Sequence, residues 1–127
     1  MKRILVDSDV IIDYLRIKLG LLDKLFVLQK EGTVELFISG ITVIEVYSGL
    51  SADRMEKEID QLINCFGVVD LDKNLGKKAG EIRRSLGNKV RLGDLIIGAT
   101  AIALKAGLAT RNKKHFEQIP GLKFWRG

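Results

Sequence analysis

Residues 1–12 read MKRILVDSDVII. Ile4-Leu5-Val6 is a short unbroken apolar run, the pattern of a strand buried on both faces of a parallel sheet. Asp7, Ser8 and Asp9 follow at once. A helical spacing then begins over residues 8–18, with Val10, Ile11, Tyr14, Leu15 and Ile17 on one side. A strand that turns directly into a helix through acids opens an α/β chain. The same stretch could imitate a secretory leader, with Lys2 and Arg3 as its basic start. Asp7, Asp9 and Asp13 interrupt the apolar segment, and no small-residue cleavage site follows. No window approaches the ~18 apolar residues of a spanning helix. The expectation is a soluble, cytoplasmic chain with no membrane partner.

The rhythm repeats along the chain. Residues 21–30 predict a second helix, stopped by Gly32. Leu36-Phe37-Ile38 predicts strand two, with Ser39-Gly40 as the turn and Thr42 capping a helix through Tyr47. Residues 53–64 predict an amphipathic helix starting at Asp53. Val68, Val69 and Leu71 predict strand three. Residues 72–86 predict a basic helix ended by Gly87, and 93–106 an Ala-rich helix ended by Gly107. Leu108-Ala109 is a short strand, with 122–125 a further one. Strands separated by helices imply an α/β fold: a mostly parallel central sheet between two helical layers, in one domain over 1–127. A chain of 127 residues and 14.2 kDa suits one domain. The single cysteine, Cys65, excludes an internal disulfide framework and a multi-cysteine zinc site, and reads as a small buried hydrophobe.

In such sheets ligands bind beyond the carboxyl ends of the strands, so the residues just after each strand carry the functional argument. Asp7 follows strand one. Glu45 lies one turn into the helix after strand two, among Val43, Ile44, Val46 and Tyr47. Asp94 begins the Ala-rich helix between Leu92 and Leu95. Asn112 lies just past Leu108-Ala109-Thr110. Asp7, Asp9 and Asp94 could each be a helix cap. Carboxylates in apolar surroundings are rare unless paired or metal-bound. Three of them within ~5 Å would repel by roughly 3 kcal/mol per pair at an effective dielectric of ~20. A cation relieves that, and oxygen-only ligands select Mg²⁺ or Mn²⁺. Such an ion polarises a phosphodiester and activates water.

The charge agrees with this. The net charge of +5 hides a split: residues 1–72 hold 8 Lys and Arg against 13 Asp and Glu, while residues 73–127 hold 13 against 3. Acids would hold metal and bases a polyanion such as RNA. Arg91 and Arg111 adjoin the acids and, with Lys113, are the candidate RNA contacts. Lys77, Lys78, Arg83 and Arg84 are further candidates or simply a solvated helix face.

At this point the sequence resembles the PIN-domain ribonucleases, and within them the VapC-type toxins of prokaryotic toxin–antitoxin pairs. Four stretches carry the likeness: Ile4 to Ile12, Ser39 to Gly49, Gly93 to Ala101, and Leu108 to Phe116 with Ile119-Pro120-Gly121-Leu122 trailing. The resemblance implies a three-layer α/β/α PIN-like domain that cleaves single-stranded or looped RNA with Mg²⁺ or Mn²⁺; with three acids activating a metal-bound water, the expected product is a 5′-phosphate. It implies that Asp7, Glu45 and Asp94 hold the metal, that Ser8 and Asp9 support it, and that Asn112 completes the catalytic set. Many relatives carry a fourth acid where Asn112 or His115 stands here, which leaves one or two metals open. Homodimers and a cognate VapB-like antitoxin are also implied. Tyr47, Leu50 and the 53–64 helix could supply an apolar surface for either.

Two other readings compete. A haloacid dehalogenase-type phosphatase would use Asp7-Ser8-Asp9, Ser39 and Gly93-Asp94. Residues 88–92 are too polar for the strand it needs, and Glu45 and Thr110-Arg111-Asn112 go unexplained. A catalytically degenerate PIN-like RNA-binding module would account for the missing fourth acid. A receiver domain lacks its phosphoacceptor Asp after strand three. His115, the only histidine, reads as structural. Trp125 reads as an anchor for the last strand, and Gly98, Ala99, Ala101 and Ala103 as small residues that let a helix pack closely.

Overall fold

A computed structural model of the chain describes residues 1–49 and 52–126. Four parallel strands form the sheet: β1 (Lys2–Val6), β2 (Val34–Ser39), β3 (Gly67–Val69) and β4 (Gly107–Ala109). Their order is β3-β2-β1-β4, with Ile4 beside Leu36, Leu5 beside Leu108, and Ile38 beside Val68. The expected parallel sheet is therefore present. Residues 122–125 contribute only a single bridge, Phe124 to Leu108.

Alternation along β1 builds two cores. Ile4 and Val6 point to one face, with Leu36 and Ile38 of β2. They pack on α1 (Ser8–Ile17), α2 (Leu21–Lys30), α3 (Gly40–Tyr47) and α4 (Glu56–Ile63) through Val10, Ile11, Leu22, Leu25, Val46 and Ile59. Leu5 points to the other face with Leu108. There it meets α5 (Lys73–Leu86) and α6 (Leu92–Leu104) through Leu75, Leu95, Ile97 and Ala99, with Phe116 and Ile119 closing the layer. Period-2 alternation with apolar residues on both sides gives the continuous run seen in the sequence. The result is the three-layer α/β/α sandwich expected.

Several local expectations are corrected. Helix α4 begins at Glu56, not Asp53, since residues 52–54 form a turn. Ser39, not Thr42, caps α3, its hydroxyl accepting from Ile41 N–H; Thr42 lies one turn in, buried, and its hydroxyl finds no partner among the described residues. Cys65 is exposed, because α4 has ended and the turn gives the buried position to Phe66. Ile17 is exposed at the end of α1, where Lys18 turns left-handed and the chain leaves the sheet. Ala103 is exposed as well. Gly98 packs on Ile119 rather than on the sheet: a Cβ there would lie 2.5 Å from Ile119 Cδ1. Trp125 does anchor the chain end, its N–H donating to Leu108 C=O at 2.9 Å. Leu50 lies outside the described residues. Among the described residues no helix is long and apolar enough to cross a membrane.

Candidate active site

The carboxyl ends of β1 and β4 meet at Asp7. Its N–H donates to Ala109 C=O at 2.9 Å, which carries the β1–β4 ladder one residue past the strand. Asp7 then caps α1, its Oδ1 accepting from Ser8 N–H at 2.8 Å. Its Oδ2 accepts from the Thr110 hydroxyl, also at 2.8 Å. Thr110 is buried and takes Asn112 N–H as donor in turn. The capping and functional readings of Asp7 are thus compatible. The helix N-terminus fixes the carboxylate that the site uses.

Ser8 links the second acid. Its hydroxyl donates to Glu45 Oε1 at 3.0 Å. Glu45, half-buried on α3, also lies beside α6, since a Cβ at Gly93 would be 3.8 Å from Glu45 Oε2. Asp94 is buried in the first turn of α6, which begins at Leu92 with Arg91 as its N-cap. Asp94 is therefore not the cap. Its carboxylate instead accepts from Arg91 Nε at 3.2 Å and Nη2 at 3.4 Å, and His115 Nδ1 lies 3.7 Å away. His115 is exposed and beside this site acid.

Asp9 does more than the sequence suggested. Its Oδ2 accepts from Arg111 N–H at 3.1 Å and from Asn112 Nδ2 at 2.9 Å. Asp9 thereby pins the loop after β4 to the start of α1. Its Oδ1 is buried without a hydrogen-bond partner among the described residues. Asn112 spends its amide on Asp9 and is exposed. The Arg111 guanidinium pairs with Asp13 at 2.7 Å, and Lys113 lies 5.8 Å over the Phe124 ring. Of the expected RNA contacts, Arg91 sits on a site acid and Arg111 is held by α1. The contribution of Thr110 was missed. Its only sequence signal is its position directly after the strand that pairs with β1.

Electrostatics mark the centre of the site. Burial pushes the Asp7 carboxyl up to about 7, and the negative charges of Asp9 and, more weakly, Asp94 add to it against the Thr110 and Ser8 hydrogen bonds. Asp9 is also raised by burial, opposed by the Arg111 N–H. Arg91 is raised by its bond to Asp94. The three acids do not converge as tightly as expected. Among the described residues, no three His, Cys, Asp or Glu side chains share one coordination sphere; Asp94 is bonded to Arg91 and Glu45 to Ser8. The donor set nevertheless fits a hard divalent ion in kind. It is all oxygen, it raises the carboxyl pKa of its most buried member, and Asp9 Oδ1 is an acceptor without a donor.

The PIN domain family model matches residues 4–122. The chain belongs to the PIN-domain family. Among its PIN-domain relatives, Ribonuclease VapC10 of Mycobacterium tuberculosis is 36% identical over 124 residues, covering 94% of this chain and 90% of the relative. DNA-bound VapBC from Salmonella typhimurium superposes with a TM-score of 0.84 at 25% identity, covering 98% of each chain. A toxin–antitoxin complex from Klebsiella pneumoniae does so with a TM-score of 0.72 at 28% identity over 93% of each. The PIN assignment removes the phosphatase and receiver readings. Residues 88 and 89 lie in a short 3-10 helix and Leu92 begins α6, so the strand that a phosphatase needs before Asp94 is not there.

Proposed function

We propose that this PIN domain is a divalent-metal-dependent endoribonuclease, the toxin of a VapBC-type pair acting in the cytoplasm. One observation carries the reading. A buried carboxylate, Asp7, sits at the strand ends with its carboxyl raised to about 7, joined through Ser8 to Glu45 and through Thr110 to Asp9, in a chain whose relatives are ribonucleases. Asp7, Glu45 and Asp94 would hold Mg²⁺ or Mn²⁺, with Asp9 beside them. The bound ion supplies polarisation of the phosphodiester and a water of lowered pKa. The chain's own residues do the rest. Ser8 holds Glu45 toward Asp7. Thr110 orients the Asp7 carboxylate. Asp9 and Asn112 fix the loop along which the substrate lies. Arg91 leaves Asp94 when the acid is needed and becomes free for a phosphate.

The partner follows from the rim. Ile44 and Leu92, neighbours of Glu45 and Asp94, are 65% and 63% exposed. Apolar side chains in water beside a charged site suit a protein segment that covers it, here an antitoxin; the Klebsiella chain it superposes on comes from a toxin–antitoxin complex. A homodimer is part of the same reading. The deciding experiment is cleavage of single-stranded RNA with Mg²⁺, with EDTA, and by Asp7→Asn and Asp94→Asn. Cleavage lost with EDTA and in both variants supports the reading. Cleavage that survives EDTA, or full activity in both variants, overturns it.

A further inference from the structure

Two cavities open along the β4 edge, outside the acidic centre. The larger, about 850 Å³, lies at the amino ends of β1 and β4, against the last turn of α6. Lys2, Arg3, Lys105, Lys123 and Arg126 line it, with Trp125. The smaller, about 230 Å³, is lined by Lys24, Lys113 and Thr110. Trp125 and Arg126 line both. Thr110 is the residue whose hydroxyl donates to Asp7. Sharing Trp125 and Arg126, the two cavities lie along one path on the β4 edge, and Thr110 at one end of it is the donor to Asp7. Lys2 and Asp7 are five residue steps apart along the strand, roughly 16 Å at ~3.3 Å per residue.

The chemistry of the path is one-sided. No Asp or Glu lines either cavity among the described residues. Among them, the ion pairs join Lys18, Arg91, Arg111 and His115 to acids elsewhere, so Lys24, Lys105, Lys113, Lys123 and Arg126 make none. Arg3 spends one donor on Leu104 C=O at 3.2 Å, as a cation at a helix C-terminus does. Lys113 lies over the Phe124 ring, and among the described residues Lys24, Lys105, Lys123 and Arg126 make no ion pair or side-chain hydrogen bond. A row of unpaired cations with an aromatic side chain at its midpoint is the pattern that tracks a single-stranded polyanion, with phosphates on the cations and a base against the ring. We propose that this path binds the single-stranded RNA flanking the scissile phosphate, and so extends the substrate site along the β4 edge. This rests on the ribonuclease reading for the identity of the ligand, but its test does not depend on cleavage.

Oligouridylates of about 5 and about 15 nucleotides are titrated by fluorescence anisotropy without added metal, across a salt series; site sizes of about 4–16 nucleotides are usual for such surfaces. The wild type is expected to bind the longer RNA at least about tenfold tighter, with a steeper salt dependence. Neutralising Lys105, Lys123 and Arg126 together (K105Q/K123Q/R126Q) is expected to remove that gain. It should lower the slope of log K against log salt by about 2, from ~0.7 per phosphate contact, and leave the short RNA unchanged. The unchanged short RNA reports that the variant is folded, and the wild-type length comparison needs no variant. Equal affinity for both lengths in the wild type overturns the proposal. So does a triple variant that binds the longer RNA as wild type does, or one that weakens both lengths equally. Poly-glutamate that binds the wild type and not the triple variant, where the longer RNA makes no such distinction, would assign the path to an acidic polypeptide instead. Length-dependent binding without any cleavage would refute the nuclease reading and keep this one. Cleavage without length dependence would do the reverse.

Discussion

Replacing Asp7 by Asn should abolish cleavage and yet stabilise the metal-free protein at neutral pH. The folded state holds this carboxyl at about 7 against its ordinary 3.8, chiefly through burial and then through Asp9. A carboxyl raised on folding binds its proton more tightly in the native state. Between about pH 4 and 7 the native state keeps a proton that the unfolded chain has released, so stability falls as pH rises through that window and is level above it. About three pH units at 1.36 kcal/mol each give an upper figure near 4 kcal/mol, and coupling to Asp9 shares part of it. Asn cannot ionise. It keeps the acceptor for Ser8 N–H, while the Thr110 hydroxyl can turn to Asp9 Oδ2, 3.5 Å away. At pH 8 in EDTA the variant should therefore be more stable by about 2–4 kcal/mol, which for a domain of this size is roughly 8–16 °C in Tm. At pH 4.5 the difference should shrink to about 1 kcal/mol, because the unfolded chain has begun to take up the proton as well. Mg²⁺ should raise the Tm of the wild type and leave that of Asp7→Asn nearly unchanged. Calorimetry from pH 4.5 to 8.5, with EDTA or Mg²⁺, reads all of this. A variant no more stable than wild type at pH 8, or stabilised equally at both ends of the range, would refute the reasoning.

Ser8→Ala removes the hydroxyl that holds Glu45 and should lower kcat about tenfold, with a thermal midpoint within ~2 °C of wild type; a merely structural Ser8 would shift the midpoint and spare kcat. Arg91→Ala frees Asp94 from a half-solvated ion pair, so Mg²⁺ binding by calorimetric titration should tighten by about fivefold, near 1 kcal/mol, while KM for RNA rises; weaker Mg²⁺ binding would contradict this role. Thr110→Val leaves Asn112 N–H without its acceptor and Asp7 without a donor, and should cost about 1–3 kcal/mol in urea unfolding at pH 8. Phe116→Ala empties a fully buried ring position under α6 and should cost about 3–5 kcal/mol.

The sheet was legible because β1 is apolar on both faces and β2 nearly so, and because the acids fall where strands end. What stayed hidden depends on which partner a side chain meets. Asp9 reads as a helix-start acid, and nothing local says that its carboxylate will take the loop 103 residues on. Thr110 reads as an ordinary residue after a strand until β4 pairs with β1 and sets it against Asp7. Cys65 and Ile17 read as core because they are apolar, but Ile17 is the last residue of α1 and Cys65 lies just past the end of α4, and both are exposed. Arg91 could be read from its neighbourhood to Asp94 only as a contact for RNA. The geometry makes it a tenant of the acid first.

The uneven charge of the chain now has a mechanical meaning. Asp7, Asp9 and Glu45 come from the acidic stretch, but none of them is positioned by that stretch alone. Thr110, Arg111 and Asn112 of the basic stretch donate to Asp7 and Asp9, and α6 brings Asp94 past Glu45 with Arg91 upon it. The acids thus reach each other only when the two stretches pack. The hydrogen bonds that hold them offset part of their mutual repulsion and leave the rest, as the raised Asp7 carboxyl records. That residual repulsion is what a divalent ion can relieve, so the same burial that makes the metal-free site costly is what would make it bind metal. The cations left over on the β4 edge relieve none of it, for they line cavities that hold no carboxylate. Their charge is directed at something outside the chain.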